Sequence, residues 1–172
     1  EDAAAVASSA HVDMKTLSRL STNVAGGILH TIREYDCGEV MVCLTDRTTG
    51  MPKSSLGPVI DHVIEGTNRQ VMAVRLIVPP GTLRRIIVAV PQKAEYEAGF
   101  YKWIEHMCRM GEQLDCLIQF HAHPDTLPHI KSYMWQNHVS LRADYVEMPI
   151  WTKIVSLAQH SGSDDIVVFV TA

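Results

Sequence analysis

The sequence predicts an α/β fold, a mostly parallel sheet with flanking helices. Short apolar runs recur along it, Glu39-Val-Met-Val-Cys-Leu44, Gln70-Val-Met-Ala-Val-Arg-Leu76, Arg85-Ile-Ile-Val-Ala-Val90, Cys116-Leu-Ile-Gln-Phe-His121 and Ile166-Val-Val-Phe-Val170. Such near-continuous runs are how strands of a parallel sheet read, because both faces are covered. Between them lie segments of roughly 10–20 residues with apolar positions three and four apart, the period of an amphipathic helix. Strands alternating with helices make crossover units and hence a parallel sheet. The composition agrees: the chain has 172 residues, 47% of them hydrophobic and 20% charged, with 10 Gly and 8 Pro. That excludes a disordered, collagen-like or coiled-coil chain. A chain of this length buries roughly 68–70% of the surface its unfolded form exposes.

Taken in order, residues 1–12 are rich in Ala and Ser without a useful period and read as a flexible N-terminal segment. Asp13 is a candidate cap for a first helix, in which Leu17, Leu20, Val24, Ile28 and Ile32 recur at helical spacing to about Tyr35, with Gly38 as its terminating glycine. Glu39–Leu44 reads as a strand buried on both faces. Ser54 or Ser55 then caps a second helix carrying Val59, Ile60, Val63 and Ile64 and ending at Gly66, before the strand Gln70–Leu76. Pro79-Pro80-Gly81 punctuates the chain, so two units are expected, 13–79 and 82–172. In the second, Arg85–Val90 is closed by Pro91, which cannot continue a central ladder. A helix over about Ala94–Met110 turns Phe100, Trp103, Ile104, Met107 and Cys108 inward and ends at Gly111. After the strand Cys116–His121, Thr126 is positioned to cap a helix to about Gln136, with Pro128 tolerated in its first turn. A weaker strand over 139–145, a helix over 150–161 and the strand Ile166–Val170 complete the pattern.

Several classes of function are disfavoured at once. A net charge of −4 gives no basic footprint for nucleic acid. Apolar runs such as Ile86–Val90 are far short of the roughly 20 residues of a membrane helix. The acidic start Glu1–Asp2 has no secretory-signal character. The four cysteines, Cys37, Cys43, Cys108 and Cys116, form no CxxC pair. Cys43, Cys108 and Cys116 are expected as buried packing thiols of a reducing compartment.

Two clusters are candidates for chemistry. In His121-Ala-His123-Pro-Asp125, two histidines two apart on a strand face one side and could reach one metal. The cluster is similar to the opening of the HxHxDH motif of metallo-β-lactamase-type hydrolases, with Thr126 where the final histidine belongs. The bland reading is a strand end with Asp125 or Thr126 capping the next helix, and no metal is expected. The second candidate is the loop after Leu44, in which Thr45, Gly50, Ser55 and Gly57 offer amides and hydroxyls to a phosphate. It has no Walker A lysine and no GxGxxG. No GxSxG elbow or Cys–His pair is identifiable, so no enzyme activity is expected. Glu95 and Glu97 read as charges favoured at a helix start, and Trp103, Trp135 and Trp151 as core or interface residues.

The segments Glu39–Leu44, Leu56-Gly57-Pro58-Val59 and Gln70–Arg75 resemble the closing strand–loop–helix–strand of universal stress protein domains. Arg84–Pro91, the helix after it and Leu117-Ile-Gln-Phe120 resemble the opening of a second such domain, and Asp164–Val170 its fourth strand. More specifically, Gly66-Thr-Asn-Arg69, Gly81-Thr-Leu-Arg-Arg-Ile-Ile-Val-Ala-Val-Pro91 and Ala94-Glu-Tyr-Glu-Ala-Gly-Phe-Tyr-Lys-Trp103 resemble the C-terminal region of bacterial cation:proton antiporters of Kef or sodium/hydrogen-exchanger type. The likeness spans about Asp13–Ala172. It implies parts of two tandem stress-protein-like units on the cytoplasmic side of the inner membrane, regulating an attached antiporter domain and without catalysis of their own. A homodimer and a small-molecule regulator fit that reading. The ATP loop of stress proteins reads Gly-x2-Gly-x9-Gly-Ser/Thr; here Leu44 and Arg47 stand at the first two glycines, only Gly57 matches, and Pro58 follows. Pro91 stands where ATP-binding members carry Asp at the end of the first strand. No cofactor is therefore expected, with a nucleotide-binding module as the alternative and a hydrolase using His121, His123 and Asp125 as the second alternative.

Overall fold

The structure is a computed structural model that describes residues 7–9, 11–43, 57–75 and 78–171. The chain divides into two compact units, Glu1–Arg75 and Leu76–Ala172. Among the described residues no helix is long and apolar enough to cross a membrane.

The first unit contains helix α1 (Val24–Glu34), strand β1 (Glu39–Cys43), helix α2 (Pro58–Gly66) and strand β2 (Gln70–Val74). The two strands pair in parallel, from Glu39 opposite Gln70 to Cys43 opposite Val74. Ala25, Leu29 and Ile32 of α1 meet Val63 of α2, with Val40 and Val59 packed against them. Helix α1 begins ten residues or so later than its apolar period suggests. Asn23, not Asp13, is its N-cap: the Asn23 side chain accepts from the Gly26 amide at 3.3 Å, and the Ser21 hydroxyl donates to the Asn23 carbonyl at 2.7 Å. Such local side chain–backbone bonds compete with helix. Residues 12–20 lie outside any helix, with Leu17 and Leu20 exposed; Arg19 pairs with Glu34 and Lys15 lies over the Tyr35 ring, tying this segment to the end of α1. The helix closes before Gly38. Asp36 takes the left-handed position (φ 47°), and the Cys37 amide returns to the Ile32 carbonyl at 2.9 Å. Strand β1 is covered on one face only: Glu39, Met41 and Cys43 are exposed, which corrects the expectation of a doubly buried strand and of a buried Cys43. Ser54 and Ser55 fall outside the described residues; Gly57, at φ 116°, precedes Pro58 at the start of α2.

The second unit runs β3 (Arg85–Ala89), α3 (Phe100–Leu114), β4 (Leu117–Ala122), α4 (Leu127–Gln136), β5 (Ala143–Glu147), α5 (Ile154–Gln159) and β6 (Asp165–Phe169). Its four strands form one parallel sheet in the order β5-β4-β3-β6. Ile86, Val88, Ile118, Phe120 and Ala122 on one face of the sheet form a core with Phe100, Ile104, Met107 and Cys108 of α3 and Leu127, Ile130 and Met134 of α4. The β5–β6 connection must pass back across β4 and β3, and the right-handed rule puts it on the opposite face.

Several boundaries differ from the sequence reading. Helix α3 starts at Phe100, after a 3-10 turn at Ala94–Tyr96, and runs through Gly111. A Cβ on Gly111 would lie 2.7 Å from Ile118 Cδ1, so this glycine permits close packing of α3 on β4, and Asp115 (φ 50°) supplies the left-handed helix end instead. Strand β5 lies later than expected, at Ala143–Glu147, because Val139 and Leu141 pack on the core ahead of it. The expected helix over 150–161 is a 3-10 turn at Trp151–Lys153 followed by the short α5. Thr126 stands before α4 without capping it.

Candidate functional site

In the second unit the chain lays down β3, β4 and β5 in one direction and then places β6 on the other side of β3. Open α/β sheets hold their ligands in the crevice at the carboxyl ends of strands flanking such a reversal. A cleft of about 260 Å³ lies there. Pro91, Gln92, Lys93, Ala94 and Glu97 line it from the segment after β3, Val170 and Thr171 from the end of β6, and Trp151 from the turn after β5. The walls combine an indole and three apolar side chains with one cation, one anion, an amide and a hydroxyl.

The segment after β3 is shaped by its own backbone. Val90 continues the ladder, its amide donating to the His121 carbonyl at 2.9 Å, and Pro91 ends it. Lys93 is left-handed (φ 67°) and starts the 3-10 turn Ala94–Tyr96. Two side-chain contacts join this segment to the loop between β4 and α4. The fully buried Thr126 donates its hydroxyl to Glu95 Oε2 at 2.8 Å, and the Gln92 amide meets the His123 imidazole at 3.4 Å.

The candidate residues of the histidine cluster have separate partners. His121 is buried and bonds Gln119 Oε1 at 2.8 Å. Burial, with the nearby Arg85 charge adding to it, holds its imidazole below the usual histidine range. His123 Nδ1 accepts from the Asp125 amide at 3.2 Å, with the Asp125 carboxylate 3.3 Å away. No group of three His, Cys, Asp or Glu side chains placed to hold a metal occurs among the described residues. Of the phosphate-loop candidates, Thr45, Gly50 and Ser55 lie outside the described residues, and Gly57 is the N-cap residue of α2, its carbonyl accepting from Asp61 at 3.0 Å. The thiols of Cys108 and Cys116 are enclosed. Burial pushes Cys108 up to about 12, with Glu112 and Glu105 adding to the effect, and burial raises Cys116 too. Cys108 donates to Met134 Sδ at 3.2 Å and Cys116 to the Leu83 carbonyl at 3.3 Å.

Reading the sequence did not single out Gln92, Lys93 and Thr171 and took Trp151 for a core or interface residue; the four come from three separate segments and meet only through the strand order. Their common signal is position, just beyond the carboxyl end of a strand. The fold and the site thus define an α/β unit with a cleft at its switch point. No known protein family, curated protein or solved structure matches the chain.

Proposed function

We propose that this chain is a non-catalytic regulatory region of a cation:proton antiporter, placed on the cytoplasmic side of the membrane and built from parts of two units of universal-stress-protein type. One observation supports the stress-protein-like part of the reading: the order β5-β4-β3-β6, all parallel. Counted within the second unit it is 3-2-1-4, the sequence in which a doubly wound nucleotide-binding sheet is laid down. The parallel pair β1–β2, joined through α2, is what the last two strands of a preceding unit would supply. What ties the region to an antiporter is the resemblance of Gly66–Arg69, Gly81–Pro91 and Ala94–Trp103 to that family. In this role the module changes the transport rate by holding a regulator more tightly in one conformation than in another, since a ligand with equal affinity for both shifts nothing. The test is the full coding frame that contains these residues. The reading requires a neighbouring membrane domain of several apolar helices of about 20 residues each, and a frame without one overturns it.

The cleft favours one second reading, a nucleotide-binding module. Thermal melting with ATP, AMP, cyclic dinucleotides and zinc separates the two. A ligand at 100 times its dissociation constant stabilises the native state by roughly 2.7 kcal/mol. A saturable rise with a nucleotide, lost in Trp151→Ala and Lys93→Ala, establishes the second reading; flat curves with every nucleotide overturn it and leave the first.

A further inference from the structure

We infer that Pro91–Gly99 is a flap over the cleft, and that the bond from the Thr126 hydroxyl to the Glu95 carboxylate is the latch that holds it closed and couples it to α4. The inference rests on the cleft being the ligand site of the module. The flap supplies five of the cleft's eight lining residues, yet its backbone bonds are local: Tyr96 to the Lys93 carbonyl at 3.1 Å, Glu97 to Ala94 at 3.0 Å and Phe100 to Glu97 at 3.0 Å. Gln92, Lys93, Tyr96, Glu97, Ala98 and Gly99 are exposed, and only Ala94 is buried in the core. Segments with few buried contacts are the ones that open locally.

The other end of the latch is unusual. Thr126 occupies the N-cap position of α4, where a threonine hydroxyl ordinarily accepts from an amide of the first turn. Here the residue has helical angles (φ −80°, ψ −33°) and makes no such bond; the His129 and Ile130 amides go to its carbonyl, at 3.1 and 3.4 Å. Its hydroxyl, wholly enclosed, turns instead to Glu95. That places a carboxylate at the start of α4, where the helix dipole favours negative charge. Lifting the flap would therefore strand a buried hydroxyl and remove an anion from the helix end together. A ligand that draws on Gln92, Lys93 or Glu97 acts on the same segment, so occupancy of the cleft reaches the first turn of α4.

Native-state hydrogen exchange on the 172-residue chain tests this without a ligand or a membrane domain, so its outcome is separate from that of the antiporter reading. Thr126→Val is expected to speed exchange at Tyr96, Glu97, Phe100, His129 and Ile130 by roughly ten- to hundred-fold, the size of a lost bond to a charged group. The amides of β3 and β4 should keep their protection, and Thr126→Ser should restore the wild-type pattern. Glu95→Ala should reproduce the effect from the opposite side, also serving if Thr126→Val does not fold, and the double variant should be no worse than either single one. Uniform loss of protection through β3 and β4, an unchanged flap, or a flap that loosens while His129 and Ile130 stay protected overturns the proposal.

Discussion

Arg85 and Asp165 open neighbouring strands directly opposite one another, and this register lets one guanidinium grip one carboxylate at 3.0 and 2.5 Å. The Arg85 bonds hold Asp165 below the usual carboxylate range despite its burial, and the same contact raises Arg85. Asp165→Asn should cost about 2 kcal/mol, the scale of lost bonds to a charged group, read as a lower urea midpoint. A carboxylate depressed by folding stabilises above its unfolded value and loses that stabilisation as protons are bound in the native state. The Asp165 contribution should therefore fade as the pH drops from about 4, near the ordinary carboxylate value of 3.8, and the asparagine variant should lack that part of the acid limb. His121 acts at higher pH with the same sign. Its native value lies below the unfolded 6.5, so the unfolded chain binds the proton first and stability falls as the pH drops through about 6.5. His121→Gln should flatten the melting temperature over that range; a slope equal to wild type would mean that another group titrates there. The sequence marked His121 as a residue of interest, but for a metal. Its buried bond to Gln119 depends on a face shared two residues apart, and on cover from other elements that spacing along one strand does not reveal.

At the scale of the element, the helix ends show where a sequence reading runs out. Gly38 and Gly111 look like helix terminators, yet Asp36 and Asp115 take the left-handed positions, which short polar residues adopt at modest cost. Gly111 has a different task, the close approach of α3 to β4. Gly111→Ala gains helix propensity of roughly 1 kcal/mol, but its new methyl would meet Ile118 Cδ1 at 2.7 Å and Cγ1 at 2.9 Å. We expect a net loss of about 1–2 kcal/mol from overpacking, partly relieved by adding Ile118→Val, which removes the nearer atom. A stabilised Gly111→Ala would show that α3 can slide. At the start of α1, Asn23→Ala should cost about 1 kcal/mol, visible as lost protection of the Gly26 amide. The existence of α1, α3 and α4 was legible because each carries an apolar stripe over several turns. The true start of α1 was not, since Leu17 and Leu20 fit the period while Ser21 and Asn23 bond the backbone locally.

For the whole molecule, the α/β class and the parallel sheet could be read from strand runs such as Arg85–Val90, whose companions recur between helical segments. The strand order could not, because it depends on which distant run lies beside β3, and β6 reaches it from eighty residues away, Arg85 opposite Asp165. The cleft inherits that limit: Lys93, Trp151 and Thr171 become neighbours only once β6 lies beside β3. The central claim is that this region regulates transport it does not perform. Its most direct test is cation-driven proton flux through the full-length protein in inverted membrane vesicles, with and without residues 13–172. The account predicts flux in both forms, with a rate or pH profile altered at least two-fold by the deletion at equal protein level. Absence of cation-driven flux from the full-length protein, or identical profiles in the two forms, contradicts it.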